Sequence, residues 1–592
     1  MKNFRTPAAC LEALEQLNPI NVNETHATLF RMLECLLEDS HPPGEHLQVL
    51  EATRLPLELV QEELAKRYAA HPLPPDSAEN TTLQRVVALW QIMRRSYAEI
   101  AQRSSADVAL SDQQALLAQR RVAYAGQAIF EFFRAHRAVP TGMWLELHQS
   151  FATAETLGLA EARAPDPLIE AWKAQSAAEA YAAALLVDLA NPYGRNKREF
   201  GWICRWAQRF APYCGLRPAG DATKPTAYGL DLAGDHALRP FGALPSGRPS
   251  LRCFDGERLA EQLRSTLDQF KQGVTPAELG LGEDCATEAG AKLLISLYRP
   301  WGLGSVGRRF RRRSSKGVVK LTGNWGAIGF HLQGRPFDDP DRPATPRSLR
   351  SDIRLLTFGE RAEAVDAESA IEIEETAHRL GFAYDNWTLL DQSVGGFRLG
   401  QKPTTERLAH HQLVGVLPPD GNHLLLGQVS WLLYRDDGTM EAGINLLDGV
   451  PAAMAVRQVL PDGRREPYYL AFILPAVPAL HKPASLVLPG GWFQEGRIVE
   501  QHVGKASSLS GLSDRDEPSG KASTDLPGFE AHSGSMQREN GPIWTASLAS
   551  APTGAVDQPQ VRQAARPLRL CQLLLRGTNF DQITYEEASA GV

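Results

Sequence analysis

The chain has 592 residues, 43% hydrophobic and 22% charged, with a formal net charge of −7. That length exceeds what one hydrophobic core organises, so about two to four domains are expected. The acidic balance argues against a general affinity for nucleic acid polymers, which calls for a surplus of Lys and Arg. No run of about 18 apolar residues occurs, so no membrane span is expected. The start, MKNFRTPAACLEALEQL, lacks the apolar core and cleavage-like tail of a signal peptide. Seven cysteines are scattered, none in a C-x-x-C pair. This fits buried thiols in a reducing cytoplasm rather than a disulfide frame or a zinc site.

Residues 1–190 read as a helical domain. Val86, Trp90, Met93, Tyr97 and Ile100 fall on one face at helical spacing. Ser111-Asp112-Gln113-Gln114 has the shape of a capping box, and Leu116, Val122, Ile129, Phe130 and Phe133 carry a long amphipathic helix after it. Such stripes are read as packing between helices. Residues 191–300 read as an irregular and partly helical connector. Leu259, Leu263, Leu267 and Phe270 form a helix stopped by Gly273. Thr275-Pro276-Ala277-Glu278 restarts one, and a further helix covers 291–297.

From residue 301 strands dominate. Short runs at 319–321, 328–332, 387–390, 397–399, 428–434, 442–447, 486–488 and 497–499 are β-like, and turns such as Arg435-Asp436-Asp437-Gly438 separate some of them. The pattern predicts one small antiparallel barrel over 301–502. An insertion, 338–385, contains a helix at 364–380 closed by Gly381. Residues 503–565 turn to Ser, Gly, Asp, Pro and Gln and are expected to be a disordered loop. Residues 566–592 are apolar again and are expected to return as a strand and turn on the β region. The fold class is therefore multidomain α+β, an all-α N-terminal half followed by a small β-barrel.

Two stretches carry the functional argument. Residues 302–315 read GLGSVGRRFRRRSS. A dinucleotide loop would need a strand before the glycines and a helix after them, but a helix precedes and five arginines follow. A nucleic-acid patch would bring more stacking aromatics than Phe310. A third reading is a clamp on phosphate and guanine, because the arginines pair four apart, as Arg308 with Arg312 or Arg309 with Arg313. The second stretch, 387–399, reads WTLLDQSVGGFRL and contains Asp391-x-Ser393-x-x-Gly396 at the end of an apolar strand.

R-x-x-x-R, then D-x-S-x-x-G, then the G-x-V-x-W and G-x-x-L pattern between Gly427 and Leu446 together resemble the PilZ domain family, bacterial receptors for cyclic di-GMP. The resemblance covers about residues 305–450. It implies a barrel whose ligand site is built from Arg308, Arg309, Arg312, Arg313, Asp391, Ser393 and Gly396, with Arg398 as a further phosphate contact. Guanidinium groups fork onto guanine or phosphate oxygens, and a carboxylate at Asp391 accepts from the guanine N1–H and exocyclic amine. Residues 337–385 separate the two motifs. Either arginine pair satisfies the spacing.

The expected function is a cytoplasmic cyclic di-GMP effector whose helical module passes the signal to a protein partner in motility, adhesion or biofilm control. The alternative is a protein–protein adaptor on a degenerate barrel that binds no nucleotide; a third reading, binding to RNA or DNA through RRFRRR, is weaker. His410, His411 and His423 have no carboxylate at ligand spacing, so no metal is expected. No nucleophile–base pair is evident, so neither catalysis nor a cofactor is expected.

Overall fold

The computed structural model describes residues 4–39, 41–104, 108–220, 227–302, 316–341, 366–402, 407–460, 463–502 and 565–588. The expected disordered loop and the arginine cluster both lie outside these residues.

The N-terminal half is built on helices α1 (Pro7–Glu15), α2 (Val22–Glu38), α3 (Pro43–Ala65), α4 (Ser77–Arg103), α5 (Gln114–Arg134), α6 (Met143–Thr156), α7 (Ala177–Leu189), α8 (Lys197–Phe210), α9 (Glu257–Lys271) and α10 (Thr287–Gly302). Local chemistry fixes several starts. Asp76 with Glu79, Ser176 with Glu179 and Asn196 with Glu199 each form a reciprocal capping box, satisfying free N–H groups at the first turns of α4, α7 and α8. The predicted stripe Val86, Trp90, Met93, Tyr97 and Ile100 is buried on α4. Helix α5 is the centre of the half, with α4, α6 and α7 packed around it. Gly126 of α5 faces α7, where an added Cβ would stand 3.5 Å from Ala184 Cβ, an ordinary van der Waals contact.

Several local expectations fail for identifiable reasons. The segment 108–113 is a 3-10 turn, and no side chain caps the start of α5. Thr275 and Glu278 do form their reciprocal hydrogen bonds, but the chain makes a single turn there and leaves it at Gly280, whose φ is +67°. Between 191 and 300 the chain is more ordered than its composition suggests. Helix α8 buries Phe200, Ile203, Trp206 and Phe210 on one face. Beyond the two-stranded ribbon β1 (Ala164–Pro165) and β2 (Ala174–Gln175), strands β3 (Gly215–Pro218), β4 (Tyr228–Asp231), β5 (Arg239–Pro240) and β6 (Leu251–Asp255) form a sheet in the order β3-β6-β4-β5. The half is therefore mainly, not wholly, α.

The β region contains two barrels where the strand pattern suggests one. The first joins β7 (Val318–Thr322), β8 (Asp385–Ser393), β9 (Gly396–Gln401), β10 (Leu413–Leu417), β11 (Leu425–Tyr434) and β12 (Met440–Leu446) in the closed order β10-β11-β12-β9-β8-β7. The second joins β13 (Ala452–Gln458), β14 (Tyr469–Leu474), β15 (Ser485–Pro489), β16 (Ile498–His502), β17 (Ala565–Arg576) and β18 (Phe580–Glu587) in the closed order β13-β14-β15-β18-β17-β16. The returning tail therefore supplies two strands. Every pairing in both is antiparallel.

The run 328–332, read as a strand, is helix α11 (Trp325–Gln333). Asn324 caps it by accepting from the Ala327 N–H at 3.1 Å. It wedges between the barrels: the Trp325 indole donates to the Leu470 carbonyl at 3.0 Å, and Ile328 shares a core with Leu413 and Leu426 of the first barrel and with Phe472 and Phe580 of the second. The expected insertion helix is present as α12 (Asp366–Leu380), closed by Gly381 with φ +71°.

Candidate functional site on the first barrel

Strands β8 and β9 form a hairpin over Val394 and Gly395. Asp391 pairs with Arg398, Gln392 with Phe397 and Ser393 with Gly396. Phe397 and Leu399 point into the barrel core, so period-two alternation turns Arg398 outward. Leu389 is also in that core. Strict alternation would then turn Asp391 inward. A bulge at Leu390 prevents this: the register shifts between Leu389 and Asp391, and the extra residue keeps Asp391 on the outer face beside Arg398.

The row continues across two more strands. Arg398 pairs with Gly443 on β12, and Gly443 pairs with Trp431 on β11. A second bulge, between Val429 and Trp431, sets this register, with the Ser430 hydroxyl donating to the Gly443 carbonyl at 2.9 Å. A Cβ on residue 443 would lie 1.9 Å from the Trp431 indole nitrogen. Only glycine there lets the half-buried indole lie across β12 toward Arg398. The outer face thus carries a carboxylate, a guanidinium, a bare backbone step and an aromatic ring in one line.

Glu441 organises the charges. Arg398 Nη2 donates to Glu441 Oε2 at 2.7 Å, and Arg435 Nε donates to Glu441 Oε1 at 2.8 Å. Arg398 Nη1 lies 3.7 Å from Asp391 Oδ2. Burial by itself would raise the Glu441 carboxyl; the hydrogen bonds and charges of Arg398 and Arg435 outweigh it and hold the group below the usual carboxylate range. The bond to Glu441, against some desolvation, raises Arg398 in turn.

The structure brings four of the sequence-derived residues together: Asp391, Ser393, Gly396 and Arg398 share one hairpin. Their local roles differ. The Ser393 hydroxyl donates to the Gly396 carbonyl at 3.4 Å. A Cβ at Gly396 would sit 2.0 Å from the Ile444 carbonyl oxygen, so this glycine is required by the close approach of β12. Arg308, Arg309, Arg312 and Arg313 lie outside the described residues. Trp431 closes the G-x-V-x-W pattern and Gly443 opens the G-x-x-L pattern, but sequence reasoning gives neither a ligand role; Glu441 and Arg435 are missed. Alternation against the core residues Met440 and Ala442 would have turned Glu441 outward. His410, considered for a metal, packs its ring against His136 and His411 and has Nε2 3.1 Å from the Ser430 carbonyl.

Residues 8–220 match the family model described as "Cyclic-di-GMP receptor FimW, N-terminal domain". Residues 454–523 match the model described as "FimW C-terminal beta-barrel domain". A relative from Pseudomonas aeruginosa, named "Cyclic-di-GMP receptor FimW", is 25% identical over 533 residues, which cover 84% of this chain and 86% of the relative. The first model falls on the helical half and the second begins in the second barrel. The first barrel, with the D-x-S-x-x-G hairpin, lies between the matched segments. Both the first model and the relative are described as a receptor.

Proposed function

We propose that the chain is a cyclic di-GMP-binding effector that holds the nucleotide on the outer face of the first barrel, in a PilZ-like manner. The observation that carries this reading is the row Asp391, Arg398, Gly443, Trp431. A guanine stacked on the indole would gain about 1–3 kcal/mol. Its N1–H and amine edge would meet the Asp391 carboxylate, and Arg398 would take a phosphate or the O6/N7 edge, each charge-assisted bond contributing roughly 1.5–3 kcal/mol. Such a set supports micromolar binding, about −8 kcal/mol, after association costs. The name of the relative supports the same ligand.

A part for the arginine segment is supported by where the chain that follows it enters the barrel. The Gly317 carbonyl accepts from the Leu389 N–H at 2.9 Å, and Val318 pairs with Thr388. The chain thus enters β7 alongside β8, the strand that carries Asp391. Arg312 and Arg313 precede Lys316 closely enough to lie within about 14 Å of it at full extension. Either R-x-x-x-R pair could close over a ligand on the Asp391 face.

A signal leaves this face through the β11–β12 hairpin. Arg435, held by Glu441, follows Tyr434. Tyr434 accepts from the Ala138 N–H at 2.8 Å and donates its own N–H to the His136 carbonyl at 3.0 Å. A ligand that draws Arg398 away from Glu441 would loosen Arg435 and shift the hairpin against the helical half, which would then act on a protein partner in motility, adhesion or biofilm control.

The second reading, an adaptor without nucleotide, is favoured by one observation: Arg398 is already held by Glu441. Calorimetry with cyclic di-GMP separates the two. The wild type should bind with micromolar or better affinity, and Asp391→Ala and Arg312→Ala should each weaken binding about tenfold or more. Absence of heat with the wild type would leave the adaptor reading.

A further inference from the structure

The helical half holds a cleft of about 390 Å³, remote in sequence from the barrel face and lined by α3, α5, α8, the loop at 166–175 and residues 280–282. Its walls are charged, and the charges do not balance. Arg54 forks onto Asp166 at 2.8 and 2.9 Å. Arg120, almost wholly buried, reaches Asp166 at 2.7 Å and Glu51 at 3.0 Å. Arg134 lies 3.1 Å from Glu131, and Arg205 is paired with Asp284. Each arginine of the wall therefore has its carboxylate.

Three further carboxylates line the same space, Glu58, Glu62 and Glu170. Among the described residues no ion pair reaches them. Burial pushes the Glu58 carboxyl up to about 6, with Asp166 and Glu62 adding to the rise against the pull of Arg54 and Arg120. A separate observation points the same way. Gln61 is 1% exposed and lines the cleft. Its Nε2 donates to the Val86 carbonyl at 2.7 Å, while its buried Oε1 has no donor. Buried polar atoms are rarely left in this state. The Nε atoms of Arg134 and Arg205 also lack acceptors, but their guanidinium groups already face carboxylates. What the cleft lacks is a positively charged group with several N–H donors.

Arginine fits that deficit better than lysine. Its five donors lie in a planar fork and can serve separated acceptors at once, whereas an ammonium is a compact point charge. The surface beside the cleft adds a second criterion. Leu55 and Leu59, one turn apart on α3, are 56% and 51% exposed. They flank Glu58 in sequence and present an apolar strip that a free small cation would leave uncovered.

We propose that this cleft receives the guanidinium of an arginine side chain from a partner polypeptide, with Glu58, Glu62 and the Gln61 carbonyl oxygen as acceptors and Leu55 and Leu59 covered by the apolar neighbours of that arginine. The proposal does not rest on nucleotide binding by the barrel and stands or falls separately from it.

The test is a calorimetric titration of the full chain with the blocked peptide Leu-Arg-Leu, the same peptide with citrulline in place of arginine, and agmatine. The arginine peptide should give saturable binding, the citrulline peptide should bind about tenfold more weakly or not at all, and agmatine should be weaker than the arginine peptide. Glu58→Gln and the exposed-site variant Glu62→Gln should each lower affinity for the arginine peptide while leaving the unloaded melting temperature unchanged or higher, because each removes an uncompensated charge. Absence of saturable binding, equal affinity for the citrulline peptide, or affinity unchanged in both variants would overturn the proposal. Agmatine binding as tightly as the peptide would overturn the assignment to a polypeptide.

Discussion

At Glu441 one carboxylate serves two guanidinium groups, and this makes its protonation a structural event. Its folded-state pKa lies below the ordinary carboxylate value, so the ionised form stabilises the native state. That contribution is complete above the unfolded pKa, near 4.3, and is lost as pH falls through the lower folded value. Glu441→Gln should therefore lower stability by about 1–2 kcal/mol at pH 7 and by progressively less as pH falls below 4, as read from chemical denaturation at each pH. Trp431 makes a different prediction. Trp431→Ala should leave the charge cluster in place yet weaken cyclic di-GMP by about 1–3 kcal/mol in calorimetry. Equal affinity in the variant would show that the indole is not a stacking platform.

Among the elements, the two bulges matter most. Deleting Leu390 removes the bulge and makes Leu389 and Asp391 consecutive, so plain alternation alone keeps Asp391 outward opposite Arg398; nucleotide binding should be retained in calorimetry, and its loss would show that the local twist of the bulge also positions the carboxylate. Gly396→Ala places a methyl within 2.0 Å of the Ile444 carbonyl and should cost about 2 kcal/mol or more. The strands that bear the site were legible because Phe397 and Leu399 alternate with Arg398. The bulges were not, since an extra residue leaves no trace in composition and appears only once two strands are paired. Helix α11 was misread for a related reason. Gly-Ala-Ile-Gly-Phe is apolar without a helical stripe, because the segment is enclosed by both barrels and needs no polar face. Its glycine at 329 packs where a Cβ would meet Leu470 at 2.4 Å, a contact set by a strand far along the chain.

For the molecule as a whole, the helical N-terminal half and the β-rich C-terminal part were legible from the change in hydrophobic period near residue 300. The division of the strands into two barrels was not. Closure is decided by long-range partners such as Val456 with Gln501 and Leu486 with Ile583, and local alternation is identical either way. The halves meet through Leu73 and Leu408, which exchange backbone hydrogen bonds at 2.7 and 2.8 Å, and through Arg407, whose Nη2 bonds Glu79 at 2.7 Å. Burial would raise Glu79, but Arg407, the Asp76 N–H and His71 together hold it low. Arg407→Ala should loosen this seam by about 1.5–3 kcal/mol, seen as earlier melting and faster hydrogen exchange at Leu73 and Leu408.

The second barrel closes only through β17 and β18, which follow residues 503–564 in the chain. Until those last strands emerge from the ribosome, β15 and β16 each present an unpaired row of backbone N–H and C=O groups to any passing strand. A protein cut short before residue 565 would keep that template exposed permanently, so premature stop codons late in the gene should yield aggregates rather than a shortened but soluble product.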